Sequence, residues 1–432
     1  MIIFTDKMKK KLAFLKPILP YGVIEPWDDL NPRLYHAVHI YWLKFYGMWF
    51  NNFSPYCIKY WLQMIYTLVV LWLVCFLPGS GEVVYLLRRR ENIGDVAEGL
   101  YLFLSEMYTY FKVAVFWLNK NQVVELLKYL HREEFKPREA EHRDIIRKSI
   151  NTARFVMTYY STMCVGAVSV GIILPLTEHF DILPTETYCN NEVPLFPDLC
   201  NKPANGNKDG VYGDRLAAFV GQIEILAFNL RNFKLVAERR RKNFKEKIYT
   251  DEYTKQYHIR SILKECIVHH NSIIRYVAMI ESAFSLASAL QFMLSVMVLC
   301  LIGVQFLSIE NPASHPMQMA WMGIYLTCML IEVFILCWFG NELIWKSMDL
   351  RQAAFDGPWT TSDRKTNLYI ILFMERCKRP LCVKAGKIFT LSLDTYTIIR
   401  MCIHSWWKVN TFQEYFSKRK YAISDETDVV VT

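Results

Sequence analysis

The sequence lacks the short motifs that identify several common enzyme and metal-binding classes. It has no CxxC pair although 12 of its 432 residues are cysteines, and no HExxH, P-loop or GxSxG motif. Without paired cysteines or partners for His269-His270, we predict neither a zinc site nor any other metal or cofactor site, and no enzymatic activity. No nucleic-acid-binding motif occurs either, so the net charge of +9 indicates an anionic membrane face rather than nucleic acid.

Apolar and aromatic residues are abundant instead. Hydrophobic residues make up 53% of the chain and aromatic residues 15%, against about 45–50% apolar residues in a soluble domain. The N-terminus does not resemble a cleavable signal, because its apolar opening is only four residues long and is followed by Lys7, Lys9, Lys10 and Lys11, whereas a signal needs about 7–15 apolar residues. We therefore expect a membrane protein whose first span acts as the anchor.

Seven segments meet or approach the length of about 20 mostly apolar residues that a transmembrane helix needs. They are Ile58–Leu77, Gly94–Leu118, Ile150–Leu174, Leu216–Val236, Val277–Leu307, Met319–Phe339 and Ile388–Phe412. Pro78-Gly79 and Pro175 are predicted to end the first and third spans. The sequence therefore predicts an all-α, seven-transmembrane helical membrane protein.

Basic residues indicate the orientation of these spans. They are frequent between the second and third spans, in the run Arg239–Lys242 and between Lys346 and Arg379, but scarce in the alternate loops. The positive-inside rule places the N-terminus in the cytoplasm. The run Arg88-Arg89-Arg90 disagrees, since it falls in a predicted outer loop, but the other loops outnumber it.

Two predicted helices extend into the cytoplasm. Residues Lys255–Ile274 carry apolar residues at helical spacing, and the sixth helix is predicted to continue past Phe339. We divide the single domain as follows: 1–57 cytoplasmic, 58–340 helices one to six, 341–387 cytoplasmic, 388–412 last helix and 413–432 extracellular tail. The cytoplasmic helical extensions are predicted to form an anchor between subunits.

The second, fourth and seventh spans carry polar or charged residues, which are costly within lipid. These are Glu98, Glu106 and Lys112, then Gln222 and Glu224, then Asp394, Arg400, His404 and Lys408. Either the helices are tilted and their charges pair within the bundle, or they line a wet pore or pocket. For the seventh span we favour the pore.

An outer loop over Pro184–Asp214 is rich in proline, asparagine and glycine and is predicted to form a turn-rich lid. It contains Cys189 and Cys200. These two cysteines could form a disulfide if the loop is extracellular, and two free thiols are the alternative.

Two sequence blocks resemble the insect odorant receptor family. One is the order Ala353–Trp359, Arg379-Pro380-Leu381 and Ala385–Tyr396; the other runs from Cys266–His270 through Glu281 to Gln291-Phe292. The resemblance covers about residues 215–412 and is carried by the combination of blocks, since each alone is weak.

This resemblance implies an odorant-gated, non-selective cation channel in which four subunits place their last helices around a pore. The end of the last span, Ile403–Phe412, lacks the longer apolar stretch of the family's co-receptor, so the chain resembles an odour-specific subunit. The implied partners are the olfactory co-receptor (Orco) in a tetramer, a volatile odorant, membrane lipid and permeating cations. The implied location is the plasma membrane of olfactory neuron dendrites.

The implied odorant site lies in the outer half of helices two to six and should be mostly apolar and aromatic. Helical spacing and orientation select candidates on four spans, each of which could also be an ordinary packing residue. The candidates are Tyr101, Ser105, Tyr108, Tyr160, Cys164, Val168, Phe219, Ile223, Trp321 and Tyr325.

By position in the family motif, Val409 matches the main pore gate and Gln413 the second gate residue. An apolar ring of Val409 side chains could close a pore by dewetting. His404 and Lys408 are further pore candidates, although Lys408 is unusual in a cation pore and could extend towards headgroups instead. The alternative for Val409 is a lipid-facing position.

The sequence leaves three other functions open. A G-protein-coupled receptor would need an external N-terminus, and its NPxxY pattern occurs here only before the first span, at Asn31–Tyr35. A gustatory-receptor-like channel would be expected to carry a Thr-Tyr pair followed by Gln-Phe. This chain has Ser405-Trp406 and Thr411-Phe412 instead, which counts against that family. A transporter could relay protons through Glu98, Glu106 and Glu224.

Overall fold

The computed structural model describes residues 56–72, 76–88, 93–130, 132–180, 220–243, 252–309 and 316–408. Over these residues the chain is helical apart from one short hairpin. The elements are α1 Ile58–Leu71, α2 Leu77–Arg88, α3 Ile93–Leu118, α4 Lys120–Tyr129, a 3-10 turn Glu133–Phe135, α5 Ala140–Phe180, α6 at 220–231, α7 Phe233–Asn243, α8 Glu252–Ser308, α9 Pro316–Asp356, α10 Arg364–Arg376, β1 Lys384–Ala385, β2 Phe389–Thr390 and α11 at 393–408.

The long apolar segments form the helices predicted from them. Helix α3 coincides with the second span, and α8 and α9 contain the fifth and sixth spans together with their extensions. Among the described residues, two helical stretches, Lys255–Ser308 and Gln318–Asp356, are long and apolar enough to cross a membrane. The prediction that α8 and α9 continue far beyond their apolar spans is therefore confirmed.

Two prolines do not act as predicted. The segment after Pro78 is helix α2 rather than a loop, because proline lacks only an N–H that is unbonded anyway in the first turn of a helix. Helix α5 continues through Pro175 to Phe180 instead of ending there. Proline inside a transmembrane helix is tolerated because neighbouring groups bond the backbone that it frees.

The last helix begins at residue 393, five positions later than predicted, because a hairpin occupies the preceding segment. Strands β1 and β2 pair antiparallel with Lys384 opposite Thr390. Gly386 and Lys387 both have φ of 61°, so the turn is incompatible with helix. The backbone N–H of Gly386 donates to the Ser285 carbonyl on α8, 2.9 Å away, which fixes the hairpin to the middle of that helix.

The core has two unequal parts. The larger cluster, called here the inner core, joins α4–α10 and runs from residues such as Ile259 and Leu350 to residues such as Phe292 and Val333. The smaller, called here the outer cluster, joins α3, the end of α8, the beginning of α9 and the last helix. Helix α1 exposes large apolar side chains, among them Trp61, Leu62 and Ile65, as a lipid-facing helix does.

Candidate functional site

The outer cluster brings together four of the predicted ligand residues. Tyr101 and Ser105 on α3 face Trp321 and Tyr325 on α9, and all four are buried. The Ser105 hydroxyl lies 2.8 Å from the Tyr325 hydroxyl. The ring of Tyr325 lies 5.1 Å from that of Tyr101 and 6.3 Å from that of Trp321, measured between centroids. Aromatic rings around a hydroxyl pair form a surface suited to an apolar ligand with one polar group.

Helical spacing explains why these side chains meet. Tyr101 and Ser105 are four residues apart, as are Trp321 and Tyr325, so each pair lies on one face of its helix. The Ser105 hydroxyl is also 2.9 Å from the carbonyl oxygens of Tyr101 and Leu102, which holds it against its own helix. The backbone of α3 therefore fixes the position of the Ser105 hydroxyl.

The apolar wall of the outer cluster comes from α8 and from the last helix. Val298, Leu299 and Ile302 of α8 are almost fully buried here, and Ile403 of the last helix packs in the same cluster. Trp407, one turn further along the last helix, packs against it. The predicted ligand residues and the predicted pore helix thus share one packed unit.

A buried ion pair lies deeper along the same helix face. The Lys112 ammonium is 2.9 Å from a carboxylate oxygen of Glu332 on α9, and both side chains are only 2% exposed. The ammonium also lies 4.2 Å from the centroid of the Tyr108 ring, and the Tyr108 hydroxyl donates to the Ala287 carbonyl of α8 at 3.3 Å. Tyr108 therefore belongs, with the Lys112–Glu332 ion pair, to a group of polar side chains beneath the outer cluster.

Sequence reasoning did not select Glu332. The available signal was a single acidic residue within the strongly apolar sixth span, at a level where α3 offers Lys112. A buried charge is rarely retained without a partner, so the sequence indicates that Glu332 needs a basic partner, whereas the packed bundle determines that this partner is Lys112.

The other predicted ligand residues lie elsewhere. Tyr160 and Cys164 on α5 belong to the inner core, where the Cys164 thiol interacts with Cys328 of α9 and with the Tyr160 hydroxyl. Ile223 is also in the inner core, and its neighbour Gln222 bonds His269 and the Phe135 carbonyl, both in segments predicted to be cytoplasmic. The structure does not bring Ile223 to the outer cluster.

Some predicted residues cannot be placed. Val168 lies within α5, but its side chain is outside the described residues. Also outside them are Phe219, Val409, Gln413, Cys189 and Cys200. Their roles stay predictions.

The polar residues of the spans divide between the two interpretations given above. Lys112 pairs with Glu332, and Glu224 pairs with Lys346 at 2.8 Å, so these charges are balanced within the bundle. On the last helix, by contrast, Asp394, Arg400, His404 and Lys408 are exposed, while Ile403 is buried. The last helix therefore packs by an apolar strip that includes Ile403, and it leaves uncovered a mixed surface in which these polar side chains lie among the exposed Ile398 and Met401.

The inner core holds a second polar network, made of buried histidines. His142 lies 2.8 Å from the Asn229 amide oxygen, and His269 lies 3.1 Å from the Gln222 amide oxygen. Burial lowers the pKa of His269 to about 3 and that of His270 to about 4. These imidazoles are neutral at physiological pH, so they act as hydrogen-bonding and packing groups of the inner core.

Among the described residues, long apolar helices pack into a bundle whose last helix completes a buried aromatic cluster, as expected of a helical membrane protein. The fold matches olfactory receptor OR5 from Machilis hrabei, solved in complex with eugenol, with a TM-score of 0.71 over 87% of this chain and 97% of that one at 16% identity. The model of the family described as 7tm odorant receptor matches residues 92–199 and 216–403. The chain belongs to the insect odorant receptor family.

Individual relatives agree with this assignment. Odorant receptor 67a of Drosophila melanogaster is 30% identical over 40% of this chain and 39% of its own length. Odorant receptor 46a, isoform B, of the same species is 24% identical over 74% of this chain and 84% of its own length. The match to the first relative thus spans about two fifths of that protein. Membership favours neither the G-protein-coupled nor the gustatory-receptor-like alternative.

Proposed function

We propose that this chain is the odour-specific subunit of an odorant-gated, non-selective cation channel. A volatile, mostly apolar ligand binds in the outer cluster between Tyr101, Ser105, Trp321 and Tyr325. The observation that carries the proposal is that these side chains share one buried cluster with Ile403 of the last helix. A ligand that changes the packing of this cluster necessarily acts on the last helix.

The chemistry of the cluster defines the ligand class. Its walls are aromatic and aliphatic, so affinity comes mainly from burial of apolar surface, at about 25 cal/mol per Å². The Ser105 and Tyr325 hydroxyls, 2.8 Å apart, offer one hydrogen-bonding position to an alcohol, carbonyl or phenol. Micromolar binding, worth about 8 kcal/mol, fits such a site.

Conduction is assigned to the exposed face of the last helix, which carries His404 and Lys408 as well as Ile398 and Met401. Four copies of that face around an axis would give a hydrated path lined by His404 and Lys408, with Val409 and Gln413 as the gate beyond them. We propose that the other members of the tetramer are Orco subunits, which need not carry the unusual Lys408. The cytoplasmic parts of α8 and α9 would then provide the contact between subunits.

Current recordings test this function. Cells expressing the chain with Orco should give cation currents evoked by a subset of a volatile panel, whereas cells expressing Orco alone should not respond to those volatiles. The matched variant Val409→Ala should increase the current without ligand, because a smaller ring at the gate wets more readily. Surface-expressed channels that ignore every volatile would remove the receptor assignment, and unchanged currents in Val409→Ala would remove Val409 from the gate.

A further inference from the structure

The contact between α8 and the last helix is made at a glycine. A Cβ atom built on Gly303 would collide with Nε1 of the Trp407 indole and would lie 2.8 Å from its Cδ1 and Cε2 atoms. No larger residue fits there while the indole keeps its place. Gly303 and the indole of Trp407 are called here the glycine seat.

The glycine seat is continuous with the candidate ligand site. Ile302, the neighbour of Gly303, is fully buried in the outer cluster with Tyr101 and Tyr325. The Phe306 ring, one turn further along α8, lies 6.3 Å from the Trp407 ring between centroids. Trp407 thus meets α8 at two positions, the backbone at Gly303 and the ring of Phe306, at the edge of the outer cluster.

We propose that the glycine seat is the positioning contact that sets the odorant concentration at which the channel opens. The inference rests on the proposed function, in which the last helix lines the pore. Around a central axis, a pore-lining helix widens the pore by moving back towards its own bundle, here towards α8. The close approach allowed by Gly303 defines how far that movement can go.

Filling the seat tests the inference. Gly303→Ala should push Trp407 away from α8 towards the pore axis, so the open state becomes harder to reach and the EC50 for an activating volatile should rise about tenfold. The matched control is Gly323→Ala on α9, where an added Cβ meets nothing within 4 Å and the EC50 should equal that of the wild type. Each variant is co-expressed with Orco and normalised to surface-labelled protein.

Two further variants separate this mechanism from general damage. Trp407→Leu lacks the atoms that meet the added methyl, so Trp407→Leu combined with Gly303→Ala should return the EC50 towards the wild-type value. Trp407→Leu alone should lower the EC50, because the last helix can approach α8 more closely. An EC50 unchanged in both single variants, or not rescued in the double variant, would overturn the inference while leaving odorant-evoked wild-type currents intact. Absence of any evoked current in the wild type would instead refute the proposed function.

Discussion

The inner core and the outer cluster differ in the kind of polar side chains that they bury. In the inner core, the buried histidines are neutral and hydrogen-bonded, His269 with Gln222 and His142 with Asn229, among many apolar residues. In and beneath the outer cluster, hydroxyls and the Lys112–Glu332 ion pair occupy a much smaller apolar region. The comparison teaches that the inner core places its polar groups within a large apolar region, whereas the paired polar groups in and beneath the outer cluster are surrounded by fewer apolar residues.

The largest effect is expected at the ion pair. Lys112→Met leaves the Glu332 carboxylate buried without its partner and should destabilise the protein by about 3–5 kcal/mol. The double variant Lys112→Met with Glu332→Leu removes both charges and should recover most of that loss. Thermal unfolding of the detergent-solubilised protein, followed by size-exclusion chromatography, measures both.

An exposed ion pair supplies the control for this variant. Arg239 lies 2.8 Å from Glu141 at the surface of the cytoplasmic part, and exposed pairs contribute little to stability. Arg239→Met should therefore leave the melting temperature unchanged. If Lys112→Met were equally silent, the Lys112–Glu332 pair would be solvated, and the contrast between the two regions would disappear.

Acid should weaken the inner core by a smaller amount. The pKa of His269 is lowered from 6.5 to about 3 by burial, so below pH 6.5 the unfolded chain binds a proton that the folded chain does not. The contribution of the neutral imidazole to the free energy of unfolding is fully present above pH 6.5. It falls as the pH decreases towards 3, by about 2 kcal/mol at pH 5 for one such imidazole. Melting curves between pH 8 and 5 measure the loss.

His269→Gln should reduce this acid sensitivity, since glutamine can bond Gln222 without titrating. His258→Gln is the matched control, because the His258 side chain is only half-buried whereas that of His269 is buried. A wild-type melting temperature that does not change between pH 8 and 5 would show that the buried histidines can be protonated without cost, and the inner core would be less rigid than the contacts indicate.

The smallest effect is expected within the outer cluster. Tyr325→Phe removes the 2.8 Å contact with the Ser105 hydroxyl, which keeps its bonds to the Tyr101 and Leu102 carbonyls. The loss should be about 1 kcal/mol, or about fivefold in EC50 for a hydrogen-bonding volatile. For a hydrocarbon of the same shape, the EC50 should stay as in the wild type, and an equal change for both ligands would place the ligand elsewhere.

Much of this arrangement follows from local sequence patterns. The apolar runs locate α3, α8 and α9, and the spacing of four residues places Tyr101 with Ser105 and Trp321 with Tyr325. What local patterns do not provide is the relative level of distant segments. Ile223 was expected in the outer half, but the contact of Gln222 with His269 places it beside the inner core. The pairing of Lys112 with Glu332 joins residues 220 positions apart and depends on the packed bundle.

Backbone geometry set a second limit. The apolar character of residues 388–391 predicted a helical start, yet the positive φ angles of Gly386 and Lys387 turn the chain into the hairpin. No local rule predicts two consecutive residues with positive φ. At this turn the Gly386 N–H bonds the Ser285 carbonyl of α8, a contact between distant segments that local patterns do not provide.

That hairpin also determines how the last helix can move. The Gly386 N–H at the hairpin donates to the Ser285 carbonyl in the middle of α8. Trp407 lies about 20 Å from the start of the last helix, at 1.5 Å per residue. Together with the contact of Trp407 with Gly303, this bond attaches the last helix to α8 near both of its described ends. A displacement of the helix relative to α8 must therefore change at least one of these two attachments.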